Sequence, residues 1–279
     1  MAVSPPMTSL PRARRFWSNL GVRAASGLVL GAIAIGAILW HPAAFMVLVA
    51  VAVSLLSIEW GMMTAPKGPV RVATVLTASV LAVVFLTYTG RYAPAAACIV
   101  VGSLAAAAVA RGVAARAVDA AYGVLYIAPA CLALIWLRAT RQGDGWTVML
   151  FATTWAADIF AFLVGSALKG PKLWPRFSPN KTWSGFFGGL AGATAAAVAV
   201  AASLMQLSLL GAALIGFLGG LATMAGDLWE SMLKRRYGVK DSGDLIPGHG
   251  GLLDRVDGLM FATMVFAGAR LVVHYGWAH

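Results

Sequence analysis

Charge is what this chain has least of. Only 11% of its 279 residues are Asp, Glu, Lys or Arg, while 60% are hydrophobic. A soluble domain carries roughly a quarter charged residues, so the composition argues against an aqueous globular fold and for an integral membrane protein. Cysteine is nearly absent: Cys98 and Cys131 both sit inside apolar runs. That leaves no disulfide framework and no zinc-ligand spacing, and the two thiols read as small buried hydrophobes. Acids are the third shortage, with 10 Asp and Glu against 21 Lys and Arg and a formal net charge of +11. The basic surplus is spread over the connections between apolar runs, which is a poor footprint for nucleic acid; no nucleic-acid partner is expected.

What is present is apolar sequence, in runs of about the 20 residues that a helix needs to cross a bilayer. They fall at 21–40, 42–63, 70–89, 92–110, 118–137, 145–168, 185–203, 208–228 and 252–275. The fold class expected is all-α, a polytopic membrane protein with about nine transmembrane helices. Residues 1–20 read as a cytoplasmic tail, 21–140 as N-terminal helices and 141–279 as a C-terminal membrane-embedded catalytic region. The first run follows Arg12, Arg14 and Arg15 and ends in "LWHP" without a small-residue cleavage site, so it reads as an uncleaved helix. With the N-terminus inside, 17 of the 21 basic residues face the cytoplasm, and Arg91, Arg138, Arg141 and Arg270 face out. The positive-inside bias supports that orientation in an inner, cytoplasmic membrane, and the inner charge would attract anionic headgroups. Trp40, Trp60, Trp136, Trp146, Trp174, Trp183 and Trp277 lie mostly at run ends, where an aromatic belt is expected. The pairs Gly185/Gly189, Gly188/Gly192 and Gly216/Gly220 suit tight helix contacts, within one chain or between two copies in a homodimer.

The scarce acids are not spread evenly. Six of the ten lie between Asp227 and Asp257. At 1.5 Å per residue, Asp227 falls about 28 Å along the eighth helix, near its inner end. Asp254 and Asp257 open the ninth helix at the same level, three residues apart and on one face. Clustered carboxylates repel unless a cation lies between them, and hard oxygen donors suit Mg²⁺ held with substrate phosphates. Asp227, Ser231, Lys234 and Arg235 share a helical face if the eighth helix runs past the membrane. The glycines of "PGHGG" let backbone approach a ligand, and His249 among them could contact a phosphate. Acids for a metal, Lys and Arg for oxyanions and a glycine-rich turn together point to phosphate chemistry.

The stretch "SMLKRRYGVKDSGDLIPGHGGLLDRVD" fills the pattern S-x-x-K-R-x4-K-D-x-G followed by P-x-H-G-G-x-x-D-R-x-D. It resembles the signature of the phosphatidate cytidylyltransferases, also called CDP-diacylglycerol synthases. "SPNKTWSG" is similar to the family's "SPxKTxxG", with Ser178, Pro179, Lys181, Thr182 and Gly185; Ser184 stands where some relatives carry an acid and is given no role. The resemblance covers about residues 150–279 and is only architectural before that. It implies that CTP and phosphatidic acid give CDP-diacylglycerol and pyrophosphate. It also implies that Asp227 and Asp254 hold Mg²⁺, with a monovalent cation such as K⁺ beside it. Lys234, Arg235, Lys240, Asp241, Arg255 and Asp257 would then be catalytic. Ser178, Asn180, Lys181, Thr182, Ser231 and His249 would contact the nucleotide or its phosphates. A phosphate monoester is already ionised near neutral pH, so its attack needs positioning and charge neutralisation more than a strong base.

Asp158 stands apart, mid-way along the sixth run in "WAADIFAFLVG". An acid at that depth should face a cavity or a partner, and the resemblance places it in the substrate site. Glu59 and Asp119, nearer helix ends, read as structural or interfacial. A transporter is the non-enzyme alternative, but the charges gather at one face and not along a path. A CDP-alcohol phosphotransferase needs "DGxxAR"; neither Asp144-Gly145 nor Asp257-Gly258 is followed by Ala-Arg. A CTP-dependent lipid kinase differs only in its product.

Overall fold

The computed structural model describes residues 12–175, 178–243 and 250–276, with side chains from 25 to 273 among them. Nine helices account for almost all of it: α1 (Arg12–Trp40), α2 (Pro42–Thr64), α3 (Pro69–Tyr88), α4 (Tyr92–Ala110), α5 (Ala117–Ala139), α6 (Gly143–Leu168), α7 (Trp183–Leu204), α8 (Leu209–Arg236) and α9 (Leu253–Gly276). In hydrocarbon every backbone N–H and C=O must be satisfied within the segment, which is why apolar runs of this length are helical. Eight of the nine, α2 to α9, are long and apolar enough to cross a membrane; the described apolar stretch of α1 is shorter, Ala25–Trp40. The chain is an all-α polytopic membrane protein.

Polar and cyclic residues set the breaks. His41 Nδ1 accepts from the Ala43 N–H (3.1 Å), and Pro42 follows at the first position of α2, where its missing N–H costs nothing. Ser208 Oγ accepts from the Gly211 N–H (3.1 Å) at the start of α8. Sequential helices pack as neighbours, and α9 returns to touch α5 and α6 as well as α8. The site end of the bundle is therefore made by the last turns of α2, α4, α6 and α8 and the first turns of α3, α5, α7 and α9.

Three details differ from the sequence reading. The connection after α6 is a short antiparallel hairpin, β1 (Lys172–Trp174) and β2 (Ser178–Thr182), with Lys172 opposite Thr182 and Trp174 opposite Ser178. Lys169 (φ 53°) and Gly170 (φ 105°) take left-handed backbone there, turning the chain sharply back over the end of α6. α8 runs on to Arg236, beyond the apolar run that ends near 228. Trp60 and Trp146 are not belt residues: they are 0% and 2% exposed, packed in the core where α2 meets α5 and where α6 meets α9. Trp40 and Trp183 are exposed as a belt would require, and Trp277 lies outside the described residues.

The glycine pairs serve contacts inside one chain. A Cβ on Gly188 would meet Val164 and one on Gly192 would meet Phe160, both on α6; Gly216 and Gly220 abut Ala197 and Ala193 of α7. At the α8–α9 crossing a Cβ on Gly226 would lie 2.5 Å from the Asp257 carbonyl oxygen. That backbone-to-backbone approach seats Asp227 beside the first turns of α9.

Candidate active site

Two groups of charged side chains occupy the site end. The first joins the hairpin to α8: Lys181 Nζ donates to Asp227 Oδ2. Asp158 of α6 and Asp257 of α9 lie within electrostatic reach of Asp227, with Lys181 acting on both and Arg255 on Asp158. Asp257 is buried, and its Oδ1 accepts from the Gly258 N–H at 2.7 Å. In the second group Lys234 Nζ sits between Glu230 Oε2 (2.7 Å) and Asp254 Oδ1 (2.6 Å). Asp254 Oδ2 accepts from the backbone N–H groups of Ser242 and Gly251, both at 3.2 Å. The groups meet through α8, where Asp227, Glu230 and Lys234 recur at helical spacing, and through α9, where Asp254 and Asp257 do.

Two cavities meet at Asp158. One, of about 940 Å³, has Asp158, Asp227, Asn180, Lys181 and the basic residues Lys169 and Lys172 in its lining, among apolar side chains such as Phe162 and Phe186. The other, of about 350 Å³, is mostly apolar. It runs between α1, α2, α5, α6 and α9, past Leu30, Phe45, Leu134 and Trp155, and ends at Asp158, Arg255 and Asp257. Asp158 is thus the mid-helix acid facing a cavity that its depth required.

The remaining residues singled out from the sequence are placed as follows. Thr182 caps α7: its Oγ1 accepts from the Gly185 N–H (3.2 Å) and lies 3.0 Å from Ser184 Oγ, while Ser184 Oγ donates to the Lys169 carbonyl. Ser178 opens β2, and Ser231 sits one turn beyond Asp227 on α8. Arg235, exposed, donates forward to the Val239 carbonyl oxygen (3.4 Å). Lys240 and Asp241 are exposed on the segment that leaves α8. His249 lies outside the described residues.

The sequence reading missed four participants. Lys169 and Lys172 line the larger cavity with Lys181. Arg236 donates to Asp119 Oδ1 (2.7 Å), tying α8 to α5. Glu59, buried on α2, accepts from the Leu252 N–H (2.6 Å), the Leu253 N–H (2.8 Å) and Ser242 Oγ (3.1 Å). A lone acid inside an apolar run was the available signal for Glu59, since burying a carboxylate without partners is costly.

Among the described residues no three His, Cys, Asp or Glu side chains form a ready metal cage. The donors nonetheless suit a hard cation. Asp227 and Asp254 are carboxylates that already hold lysine ammonium groups, and Mg²⁺ usually takes one or two carboxylates and completes its shell with water and substrate phosphates.

These features define a class: a polytopic membrane protein with lysines and carboxylates gathered at one end of its bundle, where a cavity that carries three lysines and two aspartates adjoins a more apolar one. Within that class the chain belongs to the cytidylyltransferase family, whose profile matches residues 21–272. It is 48% identical over 144 residues to a phosphatidate cytidylyltransferase of Brucella abortus, a stretch covering 51% of this chain and 53% of that protein. The phosphatidate cytidylyltransferase of Pseudomonas aeruginosa is 40% identical over 161 residues, covering 56% and 57%. That of Rickettsia felis is 36% identical over 151 residues, covering 50% and 66%. The chain spans about half the length of the Brucella and Pseudomonas relatives it matches.

Proposed function

We propose that this protein transfers the cytidylyl group of CTP to phosphatidic acid, releasing pyrophosphate and forming CDP-diacylglycerol for phospholipid synthesis. The observation that carries the reading is the meeting of a basic cavity and an apolar cavity at Asp158, with Asp227, Arg255 and Asp257 at the junction. One substrate of the reaction is a polyanion and the other an acyl lipid, so a site of this shape suits both. The names of the relatives point the same way.

In this reading the larger cavity takes the nucleotide, with Lys169, Lys172 and Lys181 against its phosphates and Asn180 beside them. The acyl chains lie in the smaller cavity, bringing the lipid phosphate to Arg255. An oxygen of that phosphate attacks the α-phosphorus of CTP. The bond from the α-phosphorus to the bridging oxygen breaks, and pyrophosphate leaves with the electron pair. Asp227 and Asp254 would hold Mg²⁺, with K⁺ as a companion, and the ion would supply neutralisation of phosphate charge. Asp257, close to Asp227, sits where it can share that role. The lysines do the positioning: they fix two anions that would otherwise repel. The site end faces the cytoplasm, where CTP is.

The experiment is direct. Purified protein is incubated with labelled CTP, Mg²⁺ and phosphatidic acid in mixed micelles, and the products are separated. CDP-diacylglycerol and pyrophosphate in equal amounts, dependent on both substrates and abolished by EDTA, are the expected result. A phosphorylated lipid with CDP release would assign a kinase instead, and no turnover would remove the enzymatic reading.

A further inference from the structure

Glu59 belongs to α2, far in sequence from the signature stretch, yet its carboxylate is wholly buried against that stretch. Its three hydrogen bonds reach chain segments on both sides of residues 244–249: Ser242 before them, Leu252 and Leu253 after them. The surroundings are shaped to it. A Cβ on Gly243 would press on Glu59 Cγ at 3.2 Å, and one on Gly251 would lie 3.0 Å from Glu59 Oε1. The two N–H groups it accepts from lie at the amino end of α9, which has no intrahelical acceptor for them and favours a negative charge. Asp254 holds the same two segments, through the Ser242 and Gly251 N–H groups, and presents its other oxygen to Lys234. Ser242 is therefore gripped twice, by Asp254 at its amide and by Glu59 at its hydroxyl.

Among the described residues, those lining the two cavities do not include Glu59. Its side chain is fully buried, so among the described residues its influence passes through the segments it holds. We infer that Glu59 is a positioning residue of the reaction centre: from α2 it fixes the entry to α9 and, through Ser242, the placement of Asp254 and its lysine. The N-terminal helices would then take part in catalysis by orienting a carboxylate they do not contain. This inference rests on the proposed cytidylyl transfer for its kinetic part only.

Glu59→Gln is the informative variant. It keeps shape but turns one acceptor oxygen into an NH₂, which cannot accept from an N–H, so at least one of the three bonds is lost. Displacing a catalytic group by about 1 Å can lower rate about 100-fold, and a drop of that order in kcat per folded molecule is expected for Glu59→Gln. The KM for CTP should stay within about threefold, because the cavity assigned to CTP is built from other elements. Ser242→Ala, which removes one bond, should give a smaller drop of the same kind, and the double variant should add little. A folded Glu59→Gln protein with normal kcat would overturn the inference. So would a lower yield of folded protein with unchanged kcat per molecule, which is a purely structural role, or a loss confined to the KM for CTP. If Glu59→Gln does not fold, Ser242→Ala decides by the same criteria. Hydrogen exchange at the Leu252 and Leu253 amides is read in parallel and needs no turnover. Faster exchange in Glu59→Gln supports the clasp, and unchanged exchange refutes it. Should the wild-type protein form no CDP-diacylglycerol, the functional reading fails while the exchange measurement still judges the clasp.

Discussion

Lys181 and Asp227 show how little a single residue type says without its partner. Lysine in a cytoplasmic connection is ordinarily an anchor against anionic headgroups. Here it donates to a carboxylate on another helix, and that carboxylate has Asp158 and Asp257 as electrostatic neighbours. Three acids sharing two cations are stable as a set only while positive charge is supplied. Removing one acid therefore weakens the hold on any further cation. Asp227→Asn preserves shape and should lower turnover about 100-fold and raise the Mg²⁺ concentration needed for half-maximal rate, since a charged ligand contributes several kcal/mol to transition-state neutralisation. Asp254→Asn should lose turnover to a similar degree, and the double variant little more. Asp144→Asn, in the exposed first turn of α6 at the far end of the bundle, is the control and should match wild type. A folded Asp227→Asn protein with an unaltered Mg²⁺ titration would reduce Asp227 to the salt-bridge partner of Lys181.

Among the elements, the crossing of α8 and α9 decides the site. Gly226 lies against the Asp257 backbone and Gly258 against Thr223, so neither contact can be relieved by a side-chain rotation. Close backbone approach is how membrane helices gain packing without a hydrophobic drive between them. It also brings Asp227 and Asp257 to one level. Gly226→Ala should push the helices apart, cost about 1–3 kcal/mol as overpacking does, and lower both the detergent-solubilised melting temperature and turnover. Gly268→Ala, on the same α9 with open space around its Cα, should change neither. Equal stability of the two variants would mean that the crossing is looser than its geometry implies. The hairpin between α6 and α7 matters for the opposite reason. It is short and half exposed, and its place over the cavity depends on the sharp turn at Lys169 and Gly170 and on the Thr182 cap of α7.

For the molecule as a whole, the two ends of the bundle are chemically unlike. Basic residues crowd the end that carries the site, and a few, such as Arg138, serve the other end by closing helix termini: its guanidinium donates to the Ile38 carbonyl oxygen at 2.9 and 2.6 Å. If the positive-inside bias sets the orientation, the site end is cytoplasmic. With Cys98 and Cys131 replaced by alanine, Lys67→Cys should react with an impermeant maleimide only from the cytoplasmic side. Arg91→Cys should react only from the other side; both positions are exposed, on opposite sides of α3. Labelling of both from one side would contradict the helix arrangement, and the reverse pattern would invert the orientation.

The sequence by itself determined the helices and the neighbourhood of the site. Apolar runs report helix length directly, because hydrocarbon forbids other unpaired backbone, and the run boundaries match the helices closely except where α1 begins, at Arg12, and where α8 continues into polar sequence. The spacing of Asp227, Asp254 and Asp257 was enough to expect them near one level, since rise per residue is fixed. Pairings were another matter. That Lys181 meets Asp227, that Lys234 sits between Glu230 and Asp254, and that Trp60 and Trp146 are core and not belt all depend on which helix lies beside which. Glu59 is the clearest case. Along the chain it is one acid in an apolar helix, and its partners are 183 to 194 residues away. Periodicity and motif spacing carry information only along a segment. The donors that satisfy a buried carboxylate lie across the bundle, and only the tertiary fold, which brings the end of α2 to Ser242 and the start of α9, supplies them.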